Sequence, residues 1–218
     1  MEYDFVTWLG YAGFMIKTGG LNVFIDPFRL HDFSVKADII FITHPHFDHL
    51  NLEGIGRIIK PTTHFIAPAE AAKGINSRNI TIVAPGDRGS VEGIEFEATA
   101  AYNIDPEKLG FHKKASGWVG YIINAEGKRI YHPGDTDLIE EMKKIDVDLA
   151  LIPCGGKYVM DIDEAIMATK VIKAKNFAPM HYRALLGKEG SEKAEKKFLE
   201  NVKGAILLEE NGEPLYSF

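Results

Sequence analysis

The sequence predicts a mixed α/β (α+β) fold in which two β-sheets pack together with helices outside. Two features point that way. The first half is a series of short β-rich runs punctuated by glycine, and in the second half strands alternate with helical patterns. A third feature locates the chemistry: Ile39-Ile40-Phe41-Ile42 is a continuous apolar run, as in a strand buried on both faces, and it ends at a histidine cluster.

Taken in order, Phe5–Leu9, Phe14–Lys17 and Asn22–Ile25 read as strands separated by Gly10, Gly13, Gly19 and Gly20. After the cluster, Ile55, Ile58 and Ile59 have the spacing of a short helix that Pro61 stops. Thr63–Ala67 and Ile80–Val83 are strand-like, with a small helix over Ala69–Lys73 ended by Gly74. Val91 and Ile94–Thr99 close this half.

Trp118–Asn124 and Arg129–His132 are strands joined by a turn at Glu126-Gly127. Thr136 is placed to cap a helix carrying Leu138, Met142 and Ile145 on one face. Val147–Ile152 follows as a strand. Asp161 and Glu164 form a capping-box start for a helix with Ile162, Ile166 and Thr169. Asn176–Met180 is the next strand. Ser191 opens a helix with Ala194, Phe198 and Val202 inward, stopped at Gly204, and Ile206–Leu208 and Pro214–Tyr216 read as closing strands.

With 218 residues, the chain fits one domain spanning 1–218 and needs no staples for its core. A net charge of −6 speaks against docking on a polyanion, so no nucleic-acid partner is expected. The lone cysteine, Cys154, leaves any metal to histidine and carboxylate and reads as a small buried apolar residue. Met1-Glu2-Tyr3-Asp4 has no basic stretch of a secretory signal, and no apolar run reaches the roughly 18 residues of a membrane span. A cytoplasmic protein is the expectation.

His44, His46 and His49 fall within six positions, with Asp48 among them. In an extended turn, residues two apart project to the same side, so His44 and His46 can chelate one ion. Asp48 and His49 are adjacent, point in different directions and can serve a second ion. Paired sites of this kind hold metals roughly 3.5–4 Å apart. Asp135 lies between a strand and a helix cap, where its carboxylate can face the same rim, and His181 ends a strand after Pro179. His31 reads as a solvated loop residue, and His64 and His132 as structural. Asp26 either orients a metal-bound histidine or holds the turn before Pro27.

Thr43-His44-Pro45-His46-Phe47-Asp48-His49 resembles the His-x-His-x-Asp-His signature of the metallo-β-lactamase superfamily. Tyr131-His132-Pro133-Gly134-Asp135-Thr136-Asp137 is similar to that family's strand-Gly-Asp-Thr turn, whose Asp bridges both metals. Ala178-Pro179-Met180-His181-Tyr182 is similar to the late strand end that supplies its last histidine. Trp8–Gly13, Phe24–Pro27, Leu151–Gly156 and Tyr158–Asp161 resemble the subgroup of ascorbate-6-phosphate lactonase-like hydrolases and N-acyl-phosphatidylethanolamine phospholipase D.

The resemblance implies a four-layer αββα sandwich and hydrolysis of a small ester, lactone or phosphodiester by a metal-bound hydroxide. It implies two divalent ions, with zinc the default and Mn, Fe or Ni open. His44 and His46 would hold one ion, Asp48, His49 and His181 the other, with Asp135 bridging and Asp48 also orienting the nucleophile. The chain departs from the family where another histidine is due, after the run Phe96–Ala100, which leads instead into Ala101-Tyr102-Asn103. His112 either folds back into that place, leaves it to Tyr102 and Asn103, or is a surface residue beside Lys113 and Lys114. If not a ligand, His112 or Tyr102 is a candidate proton donor to the leaving group. Two rival readings are a ribonuclease Z-like nuclease and a non-catalytic metal-binding or sensing protein.

Overall fold

The computed structural model describes residues 2–30 and 34–217, so Met1 and His31 lie outside the described residues. The first of two six-stranded sheets takes its strands in chain order: β1 (Val6–Gly10), β2 (Gly13–Thr18), β3 (Leu21–Ile25), β4 (Ile39–Phe41), β5 (His64–Pro68) and β6 (Ile80–Val83). The second runs in reverse order, from β12 (Lys173–Met180) through β11 (Asp146–Pro153), β10 (Lys128–His132), β9 (Val119–Ala125) and β8 (Ile94–Ala100) to β7 (Arg88–Val91).

Each sheet begins as an antiparallel meander and finishes with parallel strands. The meanders follow from two-residue turns. Gly19-Gly20 and Glu126-Gly127 each have positive φ at both positions, the twist that matches paired strands. The parallel strands need crossovers, and these carry the helices.

Side chains from both sheets interdigitate between them, with Phe14, Ile16, Ile25 and Phe41 of the first meeting Phe96, Tyr121 and Ile123 of the second. Tyr121 is fully buried and donates its hydroxyl to the Ile42 carbonyl at 2.8 Å, which ties the layers with a satisfied polar group. Outside the first sheet, α1 (Leu52–Ile58) and α2 (Ala69–Ala72) set Ile55, Ile58 and Ala71 against Met15, Phe24 and Ile40. Outside the second, α3 (Ile162–Val171) starts at the expected Asp161/Glu164 capping box, and α4 (Arg183–Asn201) buries Ala194 and Phe198. The layers are therefore αββα.

Three expected elements differ. Thr136 caps no helix: its hydroxyl lies 3.0 Å from the Tyr102 carbonyl and accepts the Tyr102 N–H, leaving only a 3-10 turn at Glu140–Lys144. The last helix begins at Arg183 rather than Ser191 and breaks at Gly187 (φ +65°), whose carbonyl accepts the Ser191 hydroxyl at 2.6 Å. Ile206–Leu208 and Pro214–Tyr216 form no strands. The closing segment lies along the outer edges of both sheets and makes one bridge to each, Ala205 to Phe177 and Glu210 to Trp8.

Gly120 on β9 lies under the turn that delivers Asp135. A Cβ there would sit 2.6 Å from the Pro133 carbonyl oxygen and 2.7 Å from that of His132. Backbone cannot yield as a flexible side chain does. Gly120→Ala is expected to cost about 2 kcal/mol and lower Tm by about 4–8 °C, read by thermal denaturation.

Candidate metal centre

The carboxyl ends of β3, β4, β8, β10 and β12 meet at one rim, the usual location of sites in parallel sheets. Asp26 follows β3, the loop Thr43–His49 follows β4, Asn103 follows β8, Asp135 follows β10 and His181 follows β12.

Hydrogen bonds behind this rim decide which ring nitrogen each histidine turns inward. Asp26, fully buried, accepts the Thr43 N–H at 2.8 Å, the Thr43 hydroxyl at 2.6 Å and Nδ1 of His49 at 2.7 Å. Because the Thr43 proton goes to Asp26, its oxygen is left to accept Nδ1–H of His44 at 2.9 Å. Asn103 Oδ1 likewise accepts Nδ1–H of His112 at 2.8 Å. With Nδ1 held in this way, His44, His49 and His112 each turn Nε2 toward the centre.

Those nitrogens converge. His49 Nε2 lies 3.3 Å from Asp135 Oδ1, and His112 and His181 Nε2 lie 3.3 and 3.1 Å from Asp135 Oδ2. His44 Nε2 and His46 Nδ1 are 3.0 Å apart, close to the edge of about 3.3 Å expected for two nitrogens on a tetrahedral ion. His44, His46 and His112 form one group able to hold an ion; Asp48, His49 and His181 form another. Asp135 faces both.

The residues fit such ions on a test of their own. Nε2 of His49 and His112, both nitrogens of His181 and Oδ1 of Asp135 are buried with no hydrogen-bond partner among the described residues. Orphaned buried groups are costly, and several aimed at one point mark a place for a cation. The nitrogen and oxygen donors suit Zn, Mn, Fe or Ni.

The electrostatics agree. Burial, and then the neighbouring imidazoles, push His44 well below the usual histidine range and His46 down as well, so both are neutral and able to donate a lone pair. Burial pushes Asp135 up, but His181 and His49 together hold it well below the carboxylate range. For His49 burial is also outweighed, here by Asp135 and Asp26, which raise it well above its ordinary value. An ion that takes its Nε2 therefore displaces a proton.

The structure brings His44, His46, Asp48, His49, His112, Asp135 and His181 together, and it brings Asp26 behind His49. Tyr102 is a correction. Its hydroxyl donates to Glu141 at 2.8 Å and accepts from Lys114 at 2.9 Å, and it does not line the cavity over the cluster. Cys154 is buried against the Met180 carbonyl, His64 bonds Thr81, and His132 bonds the Ala12 carbonyl.

Three residues carry weight that the sequence did not reveal. The Trp118 ring stacks on His44 at 5.1 Å, and the Tyr11 ring lies 3.9 Å from that of His181. Asp137, nearly fully buried, accepts from Asn103 Nδ2 and from the backbone N–H of Ile104 and Asp105, and so holds the loop that returns His112. Asn103→Ala is expected to weaken one ion's affinity by about 10–100-fold, measured by competition with a chromogenic chelator.

Residues 5–181 match the β-lactamase superfamily domain. A UPF0173 metal-dependent hydrolase from Methanoregula boonei is 35% identical over 190 residues, covering 81% of each chain. Another from Alkaliphilus metalliredigens is 31% identical over 229 residues, covering 98% of this chain and 99% of that one. Among solved structures, a Parabacteroides distasonis protein superposes with a TM-score of 0.82 at 28% identity, over 94% of this chain and 93% of that one. Igni18, a metallo hydrolase of Ignicoccus hospitalis, gives 0.73 at 28% identity over 95% of both chains. None of these matches singles out the lactonase and phospholipase subgroup. With the signature, the layers and the converging ligands in place, the chain belongs to the metallo-β-lactamase superfamily, among relatives named metal-dependent hydrolases.

Proposed function

We propose that this protein is a dinuclear hydrolase of small esters, lactones or phosphodiesters, with zinc as its ion. The observation that carries the reading is the inward set of unpaired Nε2 atoms around Asp135, each locked by a hydrogen bond on its other ring nitrogen or by strand-end geometry. His44, His46 and His112 would hold one ion, Asp48, His49 and His181 the other, and Asp135 both. Divalent ions held there would lower the pKa of water from about 15.7 to about 7 and would polarise a carbonyl or phosphoryl oxygen.

The chain's own groups supply the rest. Asp48, half-buried at the cavity wall, is placed to orient the attacking water and accept its proton. Tyr11 lines the same cavity with its ring 3.9 Å from that of His181, and its phenol would donate to a departing oxygen. His112 acts as a ligand, filling the place where the family's further histidine was due. The complete donor set favours catalysis over a sensing role. No helix among the described residues is long and apolar enough to cross a membrane. A cytoplasmic setting belongs to the same proposal, resting on the sparse use of cysteine.

Elemental analysis tests the site. Wild type is expected to hold near two ions per chain and His112→Ala near one. A wild-type protein that cannot be reconstituted with Zn, Mn, Fe or Ni would overturn the proposal.

A further inference from the structure

A cavity of about 550 Å³ rises above the ligands, within the range that takes a small molecule. Its floor is polar, formed by His46, Asp48, His112 and Asp135, but its walls are of another character. Phe47 is 71% exposed and Phe111 39% exposed, though both line the cavity. Phe47 packs edge-on against Phe28 at 5.9 Å, and Phe111 against Tyr158 at 4.8 Å. Each ring is thus braced from behind while its outer face meets water. Apolar faces fixed in this way at a cavity gain when an apolar ligand group covers them.

One cation lines the same cavity. The Lys157 ammonium lies 5.0 Å from the centroid of the Tyr158 ring and makes no ion pair among the described residues. Other cations near the site are already committed: Lys108 to Glu164, and Arg183 to Glu195 and Glu210. A solitary unpaired ammonium on an aromatic wall suits one anionic group. A nucleic-acid strand needs a track of cations, which this wall does not offer.

We infer that the substrate is a small ester or lactone with an apolar group beside the scissile bond and a carboxylate or phosphate at its far end, where Lys157 receives it. This rests on the hydrolase reading. It explains why Phe47 lies between two ligands, His46 and Asp48: an apolar group held against Phe47 is held beside the reacting bond.

Titration calorimetry on the zinc-reconstituted protein tests the inference without requiring turnover. The probes are glutaranilic acid, which carries a ring and a distal carboxylate; butyranilide, which lacks the carboxylate; and glutaramic acid, which lacks the ring. The carboxylate is expected to give about fivefold tighter binding, the scale of an exposed ion pair, and the ring about tenfold. Lys157→Ala should cut the carboxylate preference to under about twofold, and Lys157→Glu should reverse it. Equal preference in wild type and Lys157→Ala, or no effect of the ring, would overturn the inference. Turnover of mono-p-nitrophenyl glutarate by the same preparation tests the hydrolase reading separately. If the anilides discriminate as expected and the ester is untouched, the ligand class stands and ester hydrolysis falls.

Discussion

Asp135→Ala is expected to reduce hydrolysis by about four orders of magnitude, about 5.5 kcal/mol of lost transition-state stabilisation, and to lower metal content from two ions to one or none. The size follows from position. Asp135 is nearly fully buried, and three imidazoles lie within 3.3 Å of its two oxygens. It touches His112 of one ligand group and His49 and His181 of the other, so its removal is expected to disturb both at once. Asp135→Asn keeps the volume and separates loss of charge from loss of fold. Steady-state rates and elemental analysis on both variants decide the matter. Turnover retained within tenfold in Asp135→Ala would remove Asp135 from its bridging role.

The second large effect lies behind the ligands. In Asp26→Asn one acceptor oxygen becomes an NH2 group, in a pocket where three donors already converge. If that amide faces His49, the imidazole must accept on Nδ1, and its proton moves to Nε2, the atom that should hold an ion. Metal affinity should fall by about 10–100-fold. A donor left unsatisfied costs a further 1–3 kcal/mol or so of stability. Asp26 also has φ +43°, a left-handed conformation that asparagine tolerates and alanine does not, so the asparagine variant is the cleaner test. Chelator competition and thermal melting give separate readouts. A lower Tm with unchanged metal affinity would mean that Asp26 only braces its turn.

Much of this was legible in the sequence because the information is local. His44, His46, Asp48 and His49 are contiguous and follow a strand whose apolar run is unmistakable, so the spacing itself carries the chemistry. The layers were legible for a related reason: two-residue turns and a capping box mark element ends without reference to anything distant. His112 was left open because its place depends on a loop held by Asn103 and Asp137, contacts that no spacing rule encodes. Tyr102 shows the limit more sharply. Neighbours in extended chain point to opposite sides, so only one of Tyr102 and Asn103 could face the site, and it is Asn103. The closing segment failed differently. Ile206–Leu208 has the composition of a strand, but at the sheet edges it makes isolated bridges rather than a ladder.

The candidate ligands come from both sheets: the loop Thr43–His49 from the first, Asp135 and His181 from the second. Ions seated among them would add a clasp to two layers already joined by packing and by bonds such as Tyr121 to Ile42, much as a disulfide would, in a chain whose single cysteine is buried and free. Such a clasp strengthens with supply, contributing about 4.1 kcal/mol when free metal stands at roughly a thousand times its dissociation constant. Starved of metal, the sandwich would open more often and meet proteases sooner. Metal availability would then set how long each molecule lasts as well as whether it works.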